Sequence, residues 1–163
     1  SLLPVALALL LAGWACPPAD AAARRDPRDR LHPFAVRTLD GRTLRSSELR
    51  GRPLVLEFWA TWSLPSRASM PVLSALQARH GSRGLLVLGL ALDDGPPQRV
   101  LDYARRQRLL FPVAMANEAM LDDYGPIRSL PTTILIDRRG RIVRRIVGHL
   151  DAETLEGFVR EIL

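Results

Sequence analysis

Two compact apolar runs constrain the fold of this chain more than any other feature. Pro53 to Trp59 reads PLVLEFW, and Leu85 to Leu92 reads LLVLGLAL. Runs of this length without polar alternation suit strands buried on both faces of a sheet. Between them, Pro65 to His80 carries Met70, Leu73 and Leu76 at helical spacing, with Gly81 as the expected stop. Upstream, Phe34–Leu39 and Arg42–Leu44 alternate around Asp40-Gly41, the signature of a hairpin turn. Downstream, Pro96 and Pro97 fit the first turn of a helix continued by Val100, Leu101 and Ala104. Phe111–Met115 reads as a short strand. Thr132–Asp137 and Arg141–Val147 read as two strands joined by Arg138-Arg139-Gly140. Asp151 is placed to cap a last helix through Leu155, Phe158, Val159 and Ile162. Strands alternating with helices, followed by an antiparallel pair and a helix, predict an α/β sandwich around a central mixed sheet.

The chain has 163 residues, enough for one domain with a buried core, and 47% apolar with 25% charged residues is a globular composition. All 23 basic residues are arginine, against 17 acidic ones. A lysine-free, alanine- and arginine-rich chain reflects coding bias, so its net charge of +6 does not by itself point to nucleic acid. The one cysteine, Cys16, excludes an intrachain disulfide, a CxxC metal knuckle and an intrachain dithiol redox centre.

Residues 1–16 open with SLLPVALALLLAGWA, uncharged and shorter than the ~20 residues of a spanning helix, as in the apolar part of an export signal. Gly13-Trp14-Ala15-Cys16 resembles a bacterial lipobox, except that Gly13 stands where leucine is usual. That resemblance implies lipidation at Cys16. Ordinary cleavage near Ala19-Asp20-Ala21 is the alternative. Residues 17–32 are rich in Pro, Ala, Arg and Asp and read as a linker, leaving 33–163 as the folded domain. The expected location is extracytoplasmic: periplasmic, with membrane anchoring if Cys16 is acylated.

The segment Phe58-Trp59-Ala60-Thr61-Trp62-Ser63-Leu64-Pro65-Ser66-Arg67 resembles the active-site motif of the TlpA/ResA-like, extracytoplasmic branch of the thioredoxin fold. In that family the motif reads FWATWCxPCR, with cysteines where Ser63 and Ser66 stand. Pro71 matches the family's helix proline, Leu130-Pro131-Thr132-Thr133 its cis-proline loop, and Asp137-Arg138-Arg139-Gly140-Arg141-Ile142-Val143 its DRxGxIV hairpin. The resemblance implies a thioredoxin-like sandwich with an N-terminal hairpin extension, Ser63 at a helix N-terminus and a cis bond before Pro131. It also implies thiol–disulfide oxidoreduction as the family activity. There the first thiolate attacks a substrate disulfide and the second thiol resolves the mixed disulfide. A serine hydroxyl supports neither step, so both catalytic cysteines are absent and no intact catalytic group is expected.

Glu57 stands where the family carries a buried acid beneath the dithiol, sharing a strand face with Val55 and Trp59; it is expected to be hydrogen-bonded or to reach solvent. Trp62, Leu64, Pro65, Leu130 and Pro131 are the expected partner-binding residues. Pro131 would offer backbone groups to an extended segment, and Trp62 and Leu64 apolar contact. His32, His80 and His149 are scattered, so no His–Ser nucleophilic pair is expected. Asp93-Asp94 and Asp122-Asp123 lack calcium-loop spacing and read as solvated turns. Arg138, Arg139, Arg141, Arg144 and Arg145 read as a solvated basic face. No metal, cofactor or nucleic acid is expected. The leading reading is an exported, redox-inactive module that binds a protein or peptide partner. The alternative is a thiol-disulfide oxidoreductase whose cysteines were mutated to serine. A peroxiredoxin-like peroxidase needs a cysteine near Ser63 and is nearly excluded.

Overall fold

The computed structural model describes residues 29–163. The leader, Cys16 and most of the 17–32 linker lie outside the described residues. Both apolar runs are strands, β3 (Leu54–Trp59) and β4 (Leu86–Ala91), and every residue of each is buried. They pair in parallel, joined by α1 (Leu64–His80). The next crossover runs through α2 (Gln98–Arg106) to the short β5 (Val113–Met115), again parallel to β4. After α3 (Glu118–Asp123), β6 (Thr132–Ile136) runs antiparallel to β3 and pairs with β7 (Ile142–Val147). The sheet order is β5-β4-β3-β6-β7, closed by α4 (Ala152–Ile162). A separate hairpin of β1 (Ala35–Arg37) and β2 (Thr43–Arg45) precedes it, turning through Gly41 at φ 92°.

Alternate residues of β3 and β4 feed two cores. Val55, Trp59, Val87 and Ala91 meet α1, α2 and α4 through Leu73, Val100 and Val159. Leu54, Leu56, Phe58 and Leu88 meet the hairpin and α3 through Val36, Met120 and Tyr124. The sheet is thus covered on both faces, and the loops at the carboxyl ends of β3 and β4 remain open to solvent, as in other open α/β sheets.

At four places the structure goes beyond the expectations. Gly81 ends α1 as expected, but with right-handed angles, so the chain tightens into a 3-10 turn that Gly84 closes at φ 96°. Gly84 can adopt that angle without a Cβ clash. The helix α3, too short for a periodic signal, was not anticipated; Asn117 caps it by accepting from the Met120 N–H at 2.9 Å. The basic hairpin is solvent-exposed as expected, but three of its arginines are also paired. Arg138 donates to the carbonyls of Arg83, Gly51 and Leu163, Arg141 pairs with Asp137, and Arg144 pairs with Glu161 while lying 4.2 Å above the Phe158 ring. Finally, the chain is tied to the fold from Arg30 onward. Arg30 bridges to Arg141, the Leu31 N–H donates to the Gly140 carbonyl at 2.7 Å, and the His32 N–H donates to the Tyr124 hydroxyl.

Candidate functional site at the carboxyl end of β3

Ser63 is the N-cap of α1. Its extended backbone (φ −86°, ψ 114°) turns the hydroxyl back onto the helix, where it accepts from the Ser66 N–H at 3.3 Å. Such a cap satisfies a helix donor that would otherwise lack a partner. Pro65, at the second helical position, costs no hydrogen bond there. Ser66 is fully buried, and its hydroxyl accepts from the Ala60 N–H at 3.5 Å.

The Leu130–Pro131 bond is cis, and the loop lies against the cap: the Ser63 hydroxyl donates to the Leu130 carbonyl at 3.5 Å. The Pro131 carbonyl is taken by the Gly148 N–H at 2.8 Å. The loop's backbone face toward Ser63 is therefore that of Leu130, not of Pro131. Trp62 and Leu64 stand out beside it, 66% and 72% exposed, and Pro65 is exposed between Leu64 and the buried Ser66. The fold thus brings Trp62, Leu64, Pro65 and the half-buried Leu130 to one surface above the buried Ser63 and Pro131.

Glu57 lies beneath, wholly buried, flanked in the sheet by Gly89 and Thr133. It does not reach solvent. The Thr133 hydroxyl donates to its Oε2 at 2.6 Å, while Oε1 has no partner among the described residues. Burial pushes its pKa up to about 7, against the lowering pull of the Thr133 hydroxyl.

Asp93 was read as part of a solvated turn, but it is buried and holds the motif loop. Its carboxylate accepts from the Thr61 N–H at 3.0 Å and from the Thr61 hydroxyl. Two further contacts were not foreseen. His149 Nδ1 lies 3.1 Å from the Ser69 hydroxyl, and His80 pairs with Glu156 at 2.7 Å. The first is a His–Ser pair, but not a nucleophilic one: Ser69 is buried inside α1 and also donates toward the Pro65 carbonyl. Ser69 and His149 are 80 residues apart in the chain, and only the folded sheet brings them together.

The site therefore retains a capped helix N-terminus, a buried acid and a cis-proline loop around two hydroxyls. It can donate and accept hydrogen bonds, but it has no sulfur with which to exchange a disulfide.

Comparisons with known proteins agree with this geometry. The sequence profile of the AhpC/TSA family matches residues 27–145. The thiol-disulfide oxidoreductase ResA of Bacillus thuringiensis (strain Al Hakam) is 32% identical over 130 residues, 79% of this chain and 74% of that protein. Among solved structures, a thiol:disulfide interchange protein of the thioredoxin family from Chlorobium tepidum TLS superposes with a TM-score of 0.77 at 28% identity, covering 82% of this chain and 94% of the other. A secreted Mycobacterium tuberculosis disulfide oxidoreductase shares the fold at a TM-score of 0.70 and 21% identity, over 83% and 98% of the two chains.

Proposed function

The chain belongs to the AhpC/TSA family, with thiol-disulfide oxidoreductases of the ResA type among its relatives, and from that premise we propose that it is an exported member without redox activity. In this reading the surface around the serine pair binds an extracytoplasmic protein or peptide. One observation carries it: Ser63 and Ser66 stand at both sulfur positions of an otherwise complete site. Thiol–disulfide exchange needs a thiolate as nucleophile and a sulfur to leave, and oxygen replaces neither. The exposed Trp62 and Leu64 beside the Leu130 backbone offer what an extended segment needs, apolar contact and main-chain hydrogen bonding. Export rests on the apolar leader, and anchoring on acylation of Cys16; a secreted structural neighbour is in keeping with export.

The test restores the sulfur. The protein as it stands reduces no insulin disulfide above background. In Ser63→Cys/Ser66→Cys, the helix cap, Glu57 and the proline loop are already in place, so an intramolecular disulfide forms in oxidised glutathione and insulin reduction appears. Each single variant traps mixed disulfides or stays inert. A double variant that folds but neither closes the disulfide nor turns over means that the surroundings have drifted as well.

The same completeness favours a second reading, a thiol-disulfide oxidoreductase whose cysteines were mutated to serine. The codons at positions 63 and 66 of the native gene separate the two.

A further inference from the structure

An open pocket of about 360 Å³ adjoins the serine pair, lined by Thr61, Arg67, Arg99, Tyr103, Arg106 and Gln107. It meets the site through Thr61, next to Trp62, and through Arg67, next to Ser66. Three guanidinium groups line it and no carboxylate does. Among the described residues, none of the three arginines forms a salt bridge. Of the nearby acids, Asp93 is buried behind the pocket wall, where it accepts from Thr61, and Asp102 accepts from Gln98 at 2.7 Å.

Helix electrostatics disfavours two of these arginines where they stand. Arg99 is the second residue of α2 and Arg67 the fourth of α1, so both stand near the positive end of a helix. Anions are favoured at that end and cations disfavoured, yet neither helix has an acid in its first turn. Only Arg106, in the last turn of α2, gains from the helix dipole. An anionic group held among the three offsets their mutual repulsion. Guanidinium also suits a carboxylate in particular, through paired, planar hydrogen bonds.

We propose that this pocket is a charge-selecting subsite of the partner surface. The partner is an extended segment whose apolar residues rest on Trp62 and Leu64 and whose neighbouring Asp or Glu enters among Arg67, Arg99 and Arg106. This rests on the peptide-binding reading above.

The experiment uses full-length protein in detergent and a set of fluorescein-labelled octapeptides. Each carries a Leu-Val-Leu core flanked, at successive offsets, by a pair of Glu, Gln or Lys residues, and binding is read by anisotropy. In about 50 mM salt, the best Glu peptide binds about tenfold more tightly than its Gln counterpart, and the Lys peptide binds least. The preference shrinks in about 500 mM salt, where exposed charges are screened. Arg99→Gln/Arg106→Gln changes two exposed side chains, brings the Glu peptide to the affinity of the Gln peptide and leaves the Gln peptide unchanged. Equal binding of Glu and Gln peptides to the wild type, or a preference that survives in the double variant, overturns the subsite and leaves the binding surface standing. Binding of no peptide at all overturns both.

Discussion

Burial of Glu57 between Gly89 and Thr133 makes its protonation part of the folding equilibrium. Its pKa is about 7 in the folded protein, against an ordinary value of 4.5, and desolvation is the main cause. Below about pH 4.5 the native and unfolded forms both hold the proton. As pH rises from there to about 7, the unfolded chain releases it while the native protein keeps it. Stability therefore falls across that window, by roughly 3 kcal/mol, and levels off above it. Asp137 acts in the opposite sense. Burial pushes its pKa up, but hydrogen bonds from Arg141 and Arg139 outweigh that and hold it low, so its contribution is lost only toward acid pH. The two windows separate. In Glu57→Gln, the fall between pH 4.5 and 7 should flatten and the variant should gain on the wild type at pH 8. Urea midpoints from pH 4 to 8 measure this, and an unchanged slope would mean that Glu57 is ionised in the native protein. The residue itself was legible in the sequence, as an acid inside an apolar strand. Its lone unpartnered oxygen was not, because that depends on Thr133, 76 residues away.

At the scale of elements, the strands and long helices were legible because burial writes itself directly into apolar periodicity. β3, β4, α1 and α4 fall where the pattern puts them. What escaped was either short or cooperative. The α3 helix spans 6 residues, and only its Asn117 cap could have marked it. The pairing of Arg138 with three carbonyls depends on chain segments that meet only after folding. Glycine shows the same division between local and tertiary causes. Gly89, in the interior strand β4, faces packed rings: a Cβ there would lie 3.0 Å from Trp59 Nε1 and 3.1 Å from Phe111 Cε2. Both neighbours are core aromatic atoms with little freedom to move. Gly157, in α4, is exposed and has nothing within 4 Å of such a Cβ. One substitution should thus have two signs. Gly89→Ala should destabilise by about 1–3 kcal/mol through overpacking. Gly157→Ala should stabilise by roughly 0.5–1 kcal/mol, because alanine restricts the unfolded chain and favours the helix. Chemical denaturation of the two variants side by side decides it. A tolerated Gly89→Ala would show that the Trp59 and Phe111 rings yield.

For the molecule as a whole, the remaining question is where the domain begins, and the sheet topology ties that to function. Ser63 follows the carboxyl end of β3, and β6 starts beside it at the proline loop and runs away to Asp137. Arg30 and Leu31 meet Arg141 and Gly140 at that far end, so the chain enters at the pole opposite the site. If Cys16 is acylated as proposed, a tether leaving from there would hold the Trp62 surface away from the membrane. Composition reads residues 17–32 as linker, yet the last three behave as part of the fold. His32 donates its N–H to the Tyr124 hydroxyl and sets its ring edge-on to Tyr124 at 5.4 Å, while Leu31 packs against the second core. Removing them leaves the hydroxyl of a buried tyrosine and the Gly140 carbonyl without these partners. A chain starting at Pro33 should therefore be less stable than one starting at Asp29 by about 2 kcal/mol, the sum of two lost hydrogen bonds and one aromatic contact. Because the loss falls at the far pole, both chains should bind the octapeptides equally well at temperatures where both are folded. Thermal melts with anisotropy on the same samples test the two halves together. Equal melting temperatures would return residues 30–32 to the linker, and a binding defect in the shorter chain would show that the two poles are coupled.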